Sequence, residues 1–316
     1  MSAVPVASVV RSGFVESVHH GSVVVLDPSG APRLTVGDHD QPVFPRSSNK
    51  PVQAAAMVRA GLDVDDDLLA LSSASHSGEQ VHLDGVRRLL AVAGLDEGRL
   101  QNTPDLPYDP AERAAWVAAG REPSSLAQNC SGKHAGMLAT CVAAGWDLST
   151  YLDPEHPLQR LMAETLSELA GEPVAHVGVD GCGAPVMAVS LVGLARAFAA
   201  LVVAEPGTAE HRVANAARAF PHLVGGSRRD VTALMRAVPG LLAKDGAEAV
   251  YAAALADGTA IAIKIADGGD RARPVVMAEA LRVAGVDPAL VSFLDEAPVL
   301  GHGQPVGAVR ALPLAG

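Results

Sequence analysis

The chain has 316 residues, of which 49% are apolar and 19% are charged, a composition typical of a globular protein with a slight apolar lean. Its formal net charge is −11, from 35 acidic and 24 basic residues. A nucleic-acid partner is therefore not expected, because such partners usually require a basic face. The longest apolar run, residues 195–204, is far shorter than a membrane span, so we expect no membrane partner.

The amino-terminal residues lack the basic start and the apolar stretch of a secretory signal. Three cysteines, an odd number in a chain of this length, argue against a disulfide framework and for a reducing compartment. We therefore expect a soluble cytoplasmic protein.

The first forty residues alternate in polarity and are rich in β-branched side chains, which predicts strands. Asp27–Gly30 is a strong turn signal between two of them. The predicted strands cover residues 4–10, 14–18, 22–26 and 34–36. Short strands joined by tight turns indicate an antiparallel meander.

Apolar residues then recur at spacings of three and four, which predicts helices. The predicted helices cover residues 80–93, 110–119, 133–144, 157–170, 189–203, 210–220 and 273–284, and further strands cover 174–179, 259–266 and 306–312. Strands at both ends with a helical middle predict an α/β (α+β) fold. We expect a single domain over residues 1–316, with a mostly antiparallel sheet built from both termini, flanking helices and a helical insertion at roughly 80–170.

Ser47 and Lys50 are the first candidates for catalysis. They lie three residues apart at the start of a segment with strong helix-forming character, and residues at this spacing share one face of a helix. A lysine amine can take the proton of a serine hydroxyl and make it a nucleophile. The spacing therefore predicts serine acyl-transfer chemistry, although either Ser47 or Ser48 could instead cap the helix.

The segment Ser72–Glu79 is dense in polar residues and precedes a predicted helix. Ser77 is best explained as a helix cap with Glu79 in the first turn. Ser75 and His76 are not explained by capping, and we regard them as candidate site residues.

Two cysteines lie in turns, each close to polar residues. Cys130 precedes Lys133 and His134, and Cys182 follows Asp180 between two glycines. A zinc site is possible here, but the spacing does not establish one, since the chain has no Cys-x-x-Cys pair and no His-Glu-x-x-His motif. Cys141, in an apolar helical run, is best explained as a core residue.

Lys264 lies in the middle of an apolar predicted strand. A charge there is costly unless it is paired or functional. It could protect a sheet edge from aggregation, or it could face a nucleophilic serine and lower the pKa of a second group or hold a substrate carboxylate.

Taken together, these segments resemble the bacterial L-asparaginase II family, including its Rhizobium-type zinc-containing member. The resemblance covers nearly the whole chain and depends on several matches in order. They are Arg46–Lys50, Ala74–Glu79, Asn129–His134, Asp180–Pro185, the Gly225–Gly226 turn with Thr232 and Met235, and Lys264–Gly268. It implies a fold similar to that of serine β-lactamases and glutaminases.

The resemblance also implies an L-asparagine amidohydrolase with two serine–lysine pairs. The first is Ser47 with Lys50, and the second is Lys264 with Ser75, or alternatively with Ser77. We expect Ser47 to be the acylated residue.

For the substrate, Arg46 and Lys264 are candidate partners of the α-carboxylate, and Asp180 is the candidate partner of the α-ammonium group. The resemblance further implies a Zn²⁺ site formed by Cys130, Lys133 and Cys182, and together with the apolar-rich composition it indicates a homodimer. Two alternatives are a related serine amidase or acyl-transferase acting on glutamine or a β-lactam, and a non-catalytic zinc or redox sensor that uses the two cysteines.

Overall fold

The computed structural model describes residues 3–314, and it begins with the antiparallel meander that the sequence predicts. Strands β1 (Val4–Arg11), β2 (Phe14–Leu26) and β3 (Pro32–Val36) pair in sequence. The turn after β2 forms because the Asp27 carboxylate accepts hydrogen bonds from the backbone N–H groups of Ser29 and Ala31. The two strands predicted at 14–18 and 22–26 are one continuous strand.

Seven further strands follow. They are β4 (His176–Val179), β5 (Pro185–Ala188), β6 (Leu242–Gly246), β7 (Val250–Ala254), β8 (Ala260–Ile265), β9 (Glu296–Gly301) and β10 (Gln304–Ala311). The main sheet has the order β6-β7-β8-β2-β1-β10-β9, with β3 also paired to β2, while β4 and β5 form a separate hairpin. The prediction of one antiparallel sheet from both termini is confirmed, because β1 pairs with β10 and Val9 lies opposite Val309.

The helices agree closely with the predicted periodicity. They are α1 (Lys50–Arg59), α2 (Asp66–Ser72), α3 (Gln80–Val92), α4 (Pro110–Ala118), α5 (Ser131–Ala144), α6 (Pro157–Ala170), α7 (Leu191–Val203), α8 (Ala209–Ala219), α9 (Pro221–Val224), α10 (Asp230–Ala237), α11 (Arg273–Val283) and α12 (Pro288–Val291). Local sequence sets several ends: Asp109 caps α4, and Gly145 ends α5 in the left-handed conformation. Helices α3–α6 lie within the segment 80–170, for which the sequence predicts a helical insertion.

The core lies between the sheet and the helices. Helices α7 and α11 both pack on β8, so the side chains of Ile261 and Ile263 are buried along with Ala262 between them. The strands β6 and β7 are likewise buried throughout. Among residues 3–314, no helix combines the length and the apolarity needed to cross a membrane.

Gly246 brings the end of β6 against a short 3₁₀ helix, Arg46–Asn49, that leads into α1. A Cβ atom at Gly246 would lie 2.5 Å from the carbonyl oxygen of Pro45 and 2.7 Å from Ser48 Oγ. Any side chain would therefore push the strand away from this helix. Because Gly246 has none, β6 can approach the segment that carries Ser47.

Candidate active site

A small cavity of about 50 Å³ lies where the 3₁₀ helix, the 72–79 segment and the end of β6 meet. It contains both candidate serines of the sequence analysis, one from each of two distant segments. The lining residues are Ser47, Ser75, Tyr108, Asn129, Arg229, Asp245, Gly246, Ala247 and Arg273. The fold thus brings Ser47 and Ser75 together.

Lys50 is buried beside this cavity as the first residue of α1. Its Nζ donates hydrogen bonds to the carbonyl oxygen of Ala74 at 2.6 Å, to Ser75 Oγ at 3.0 Å and to Cys130 Sγ at 3.1 Å. An ammonium group has three N–H donors, so all three have acceptors. Lys50 thus makes its serine hydrogen bond to Ser75. Ser47, three residues before Lys50 in the chain, lines the same cavity as Ser75.

Lys264 lies elsewhere, and the structure does not bring it to Ser75. Its Nζ donates to the carbonyl oxygens of Glu248 and Ile265, the latter at 2.9 Å. Burial lowers the pKa of Lys264, and the charges of Glu248 and Asp267 oppose that shift. The amine therefore satisfies backbone carbonyls at a strand end rather than completing a serine–lysine pair.

Lys244, which the sequence analysis passed over, is a second buried lysine near Lys50. Its Nζ donates to the Asp245 carbonyl oxygen at 2.7 Å and to Asp245 Oδ1 at 2.8 Å. Burial lowers the pKa of Lys244 to about 8; the charge of Asp245 opposes this shift and that of Lys50 adds to it. The sequence could have indicated Lys244, because it directly follows the apolar run 241–243 and a lysine next to apolar residues was the reason to select Lys264.

Cations surround Asp245 at the cavity wall. Arg229 and Arg273 both form ion pairs with its carboxylate, and Lys244 does so from the preceding position. Although burial alone would raise the pKa of Asp245, these three charges hold it well below its usual range. The aromatic ring of Tyr108 lies 4.4 Å from the guanidinium carbon of Arg229. None of these residues was a sequence candidate.

The predicted metal ligands converge in the interior. Lys133 Nζ lies 3.3 Å from Cys182 Sγ, the neighbouring Cys130 thiol raises the pKa of Cys182, and all three residues are buried. Two thiolates and an amine are ligands that suit Zn²⁺, so this donor set fits the ion if Lys133 serves as the third ligand. Within residues 3–314 there is no group of three His, Cys, Asp or Glu side chains that could hold a metal.

Two of the three predicted substrate ligands, Arg46 and Asp180, bind each other. The guanidinium of Arg46 pairs with Asp180 Oδ1 at 2.7 Å, and neither residue belongs to the lining of the cavity. Arg46 has a φ of 52°, a left-handed conformation that is uncommon for arginine. This backbone conformation directs the Arg46 side chain to Asp180, while the next residue, Ser47, faces the cavity.

Two buried histidines, His76 and His82, lie in and next to the 72–79 segment. His76 Nε2 donates to Ser131 Oγ at 2.8 Å, because that hydroxyl itself donates to Leu126, and the His76 ring stacks on that of His82 at 5.1 Å. His82 Nε2 donates to the carbonyl oxygen of His222 at 2.9 Å. Burial lowers the pKa of both histidines below the usual 6.5, so both rings are held neutral.

Ser77, the alternative to Ser75, donates its hydroxyl hydrogen to the carbonyl oxygen of Gly225 at 3.1 Å. It is fully buried and is not part of the cavity lining. Its side chain therefore holds the 225–230 loop against the 72–79 segment, and Ser75 is the serine of this segment that faces the cavity.

Comparison with known families decides the class of protein. The family model described as L-asparaginase II matches residues 7–311. The chain belongs to the L-asparaginase II family. It is therefore a hydrolase of the asparaginase type, and the family implies asparagine as the substrate. A comparison with curated protein sequences gives no match to this asparaginase.

Solved structures show more distant similarity. One is a β-lactamase from Mycobacterium bovis, with 17% identity and a TM-score of 0.43 over 79% of the asparaginase and 88% of that chain. Another is EstCE1, a hydrolase with promiscuous acyltransferase activity, with 14% identity and a TM-score of 0.38 over 87% and 92% of the two chains. Both scores are too low to define the site.

The neutral histidines predict a loss of stability in mild acid. Below pH 6.5 the unfolded chain protonates these rings while the folded protein resists protonation. The free energy of unfolding therefore falls with decreasing pH, by up to about 1.4 kcal/mol per pH unit for each histidine. We expect His82→Gln, which can still donate to His222, to flatten this fall in urea unfolding between about pH 6.5 and 5.

His20→Gln is the matched control, because His20 is exposed. It should retain the wild-type slope of unfolding free energy against pH. If both variants gave that same slope, the buried His82 ring would not be a source of the acid sensitivity.

Proposed function

We propose that this protein hydrolyses L-asparagine to L-aspartate and ammonia through an acyl-enzyme formed on Ser47. The observation that carries the proposal is that Ser47 and Ser75 line one cavity while the Lys50 amine lies 3.0 Å from Ser75 Oγ, in a member of the L-asparaginase II family. A base within hydrogen-bond reach of a serine hydroxyl is the requirement for serine acyl transfer.

In the first step, Lys50 acts as the neutral amine, with two N–H donors for Ala74 and Cys130 and a lone pair toward Ser75. The Ser47 hydroxyl attacks the side-chain amide carbonyl of asparagine, and its proton passes to Lys50. Ser75 is suited to relay that proton, because its hydroxyl lies on the cavity 3.0 Å from Lys50 Nζ. The same groups then return a proton to the departing nitrogen, and ammonia leaves. Water hydrolyses the aspartyl ester by the reverse path, with Lys50 as the base.

Negative charge develops on the carbonyl oxygen during both steps, and backbone N–H groups are the proposed donors to it. The first residues of a helix have N–H groups without intrahelical partners, and Ser47 lies in the first turn of the 3₁₀ helix. Ala247, directly after β6, lines the cavity from the opposite segment. Gly246 sets the separation of these two segments.

Variants at the two serines test the assignment. We expect ammonia release from L-asparagine, a loss of at least about 10³-fold in kcat for Ser47→Ala, and a loss of about 10- to 100-fold for Ser75→Ala, since a relay is easier to replace than a nucleophile. Ser48→Ala is the matched control, because Ser48 Oγ is buried without a hydrogen-bond partner. Ammonia release by Ser47→Ala near the wild-type rate would exclude Ser47 as the nucleophile.

The same assay of ammonia release distinguishes the roles of Lys244 and Lys264. We propose that Lys244 supports the reaction, because its buried amine lies near Lys50 and its side-chain partner Asp245 lines the cavity. Lys244→Met should lower kcat/KM by about 100-fold, whereas Lys264→Met should change it by less than about threefold. The reverse order would support the serine–lysine pair of Lys264 predicted from the sequence.

We also propose that Cys130, Lys133 and Cys182 bind Zn²⁺. Zinc bound there would supply a positive charge that holds the 180–185 loop to the start of α5. Lysine must lose its proton to act as a ligand, so occupancy should fall as the pH is lowered. The buried donor set makes the site a candidate for a structural or substrate-orienting ion.

Metal content tests this proposal. We expect about one zinc per chain in the purified protein, and much less in Cys182→Ser. Cys141→Ser is the matched control, since Cys141 is also buried and burial raises the pKa of its thiol to about 12. Wild-type protein that remains free of metal after incubation with zinc would contradict the assignment.

We further propose a cytoplasmic homodimer. The family resemblance and the apolar-rich composition support the dimer, and the odd number of cysteines, all free, supports a reducing compartment. Sedimentation equilibrium of the purified protein tests the dimer, and fractionation of the native cells tests the compartment.

A further inference from the structure

Arg229 is the cationic side chain of the cavity with the most unused hydrogen-bonding capacity. Arginine has five N–H donors. Within the described residues, Arg229 Nη2 donates to Asp245 and Nη1 donates weakly to the carbonyl oxygen of Ser75, at 3.4 Å. The remaining donors can therefore bind a ligand that enters the cavity.

The charges around Arg229 favour an anion. Its carboxylate partner, Asp245, is shared with Lys244 and Arg273, so one negative charge serves three cations. Arg273 has its own additional partners, Asp270 at 3.0 Å and Asp230 at 3.4 Å. Arg229 pairs with no other carboxylate among residues 3–314. Because Arg229 shares the Asp245 carboxylate with two other cations, its positive charge is incompletely neutralised. A buried cation of this kind binds a further carboxylate well.

The surrounding structure holds Arg229 in place before any ligand binds. Tyr108 covers one face of its guanidinium, which leaves the donors at its edge. Asp109 follows Tyr108 in the chain, and Arg228 precedes Arg229. The Arg228 guanidinium donates two hydrogen bonds to the Asp109 carboxylate, at 2.7 and 3.0 Å. This ion pair joins the loop that carries Tyr108 to the loop that carries Arg229, so the two side chains form one preorganised wall.

We propose that Arg229 binds the α-carboxylate of the substrate and restricts the enzyme to amides of free amino acids with an unblocked carboxylate. The proposal deepens the proposed asparaginase function and depends on it. Arg229 contacts the backbone of Ser75, and the Ser75 hydroxyl contacts Lys50. The carboxylate site is thus one residue away from the proton relay, a short separation that suits a small substrate such as asparagine.

A substrate without the carboxylate charge provides the test. L-asparagine methyl ester retains the side-chain amide, so ammonia still reports on that bond, but it lacks the negative charge. For the wild type we expect kcat/KM for the ester to be at least about tenfold below that for asparagine. In Arg229→Gln, kcat/KM for asparagine should fall by about 100-fold, mainly through KM, while that for the ester should change by less than about threefold.

Arg236→Gln is the matched control, because Arg236 is an exposed arginine on the helix that Arg229 precedes, and it should behave as wild type with both substrates. Tyr108→Ala provides a second variant that leaves the Arg229–Asp245 ion pair in place. Since Tyr108 is 40% exposed, this variant should fold, and it should reduce the preference for asparagine over the ester.

The outcomes separate the two hypotheses. Equal losses on both substrates in Arg229→Gln, or an unchanged preference in both variants, would overturn the assignment of Arg229 and leave the asparaginase function intact. Equal use of asparagine and the ester by the wild type would do the same. Wild-type protein that releases no ammonia from asparagine would overturn the proposed function and, with it, the role of Arg229.

Discussion

The buried amine of Lys50 is the group around which the site is organised. A lysine amine removed from water must have hydrogen-bond partners, and its three partners come from Ala74, Ser75 and Cys130. Two chain segments, 72–79 and 129–134, are thereby fixed relative to α1. The hydroxyl of Ser75 reaches the cavity because its backbone is held in this arrangement.

The same amine connects the cavity with the cysteine pair. Cys130 accepts a hydrogen bond from Lys50 and contacts Cys182, which accepts one from Lys133. The proposed metal ligands therefore lie directly behind the proposed base, although they do not line the cavity. A change at Cys130 would affect both groups, which is why Cys182 is the more informative residue for metal content.

The side of the cavity opposite the two serines is lined by charged residues. Asp245 neutralises part of the charge of Lys244, Arg229 and Arg273, and its position depends on the close approach at Gly246. One wall thus carries the hydroxyls of Ser47 and Ser75, and the other carries cations whose charge favours the binding of an anion. A substrate that has both an amide and a carboxylate suits this division.

The sequence by itself determined the meander, the helices, the antiparallel sheet from both termini and the presence of Ser47, Lys50 and Ser75, because periodicity and turn residues are local properties. It did not separate Lys244 from Lys264, since Lys244 directly follows an apolar run and Lys264 lies within one. Only the tertiary structure decided that Lys244 lies near Lys50, that Lys264 meets backbone carbonyls, and that Arg229 reaches the cavity. These outcomes depend on strand order and on loops more than 100 residues apart meeting in space, and no local pattern encodes such contacts.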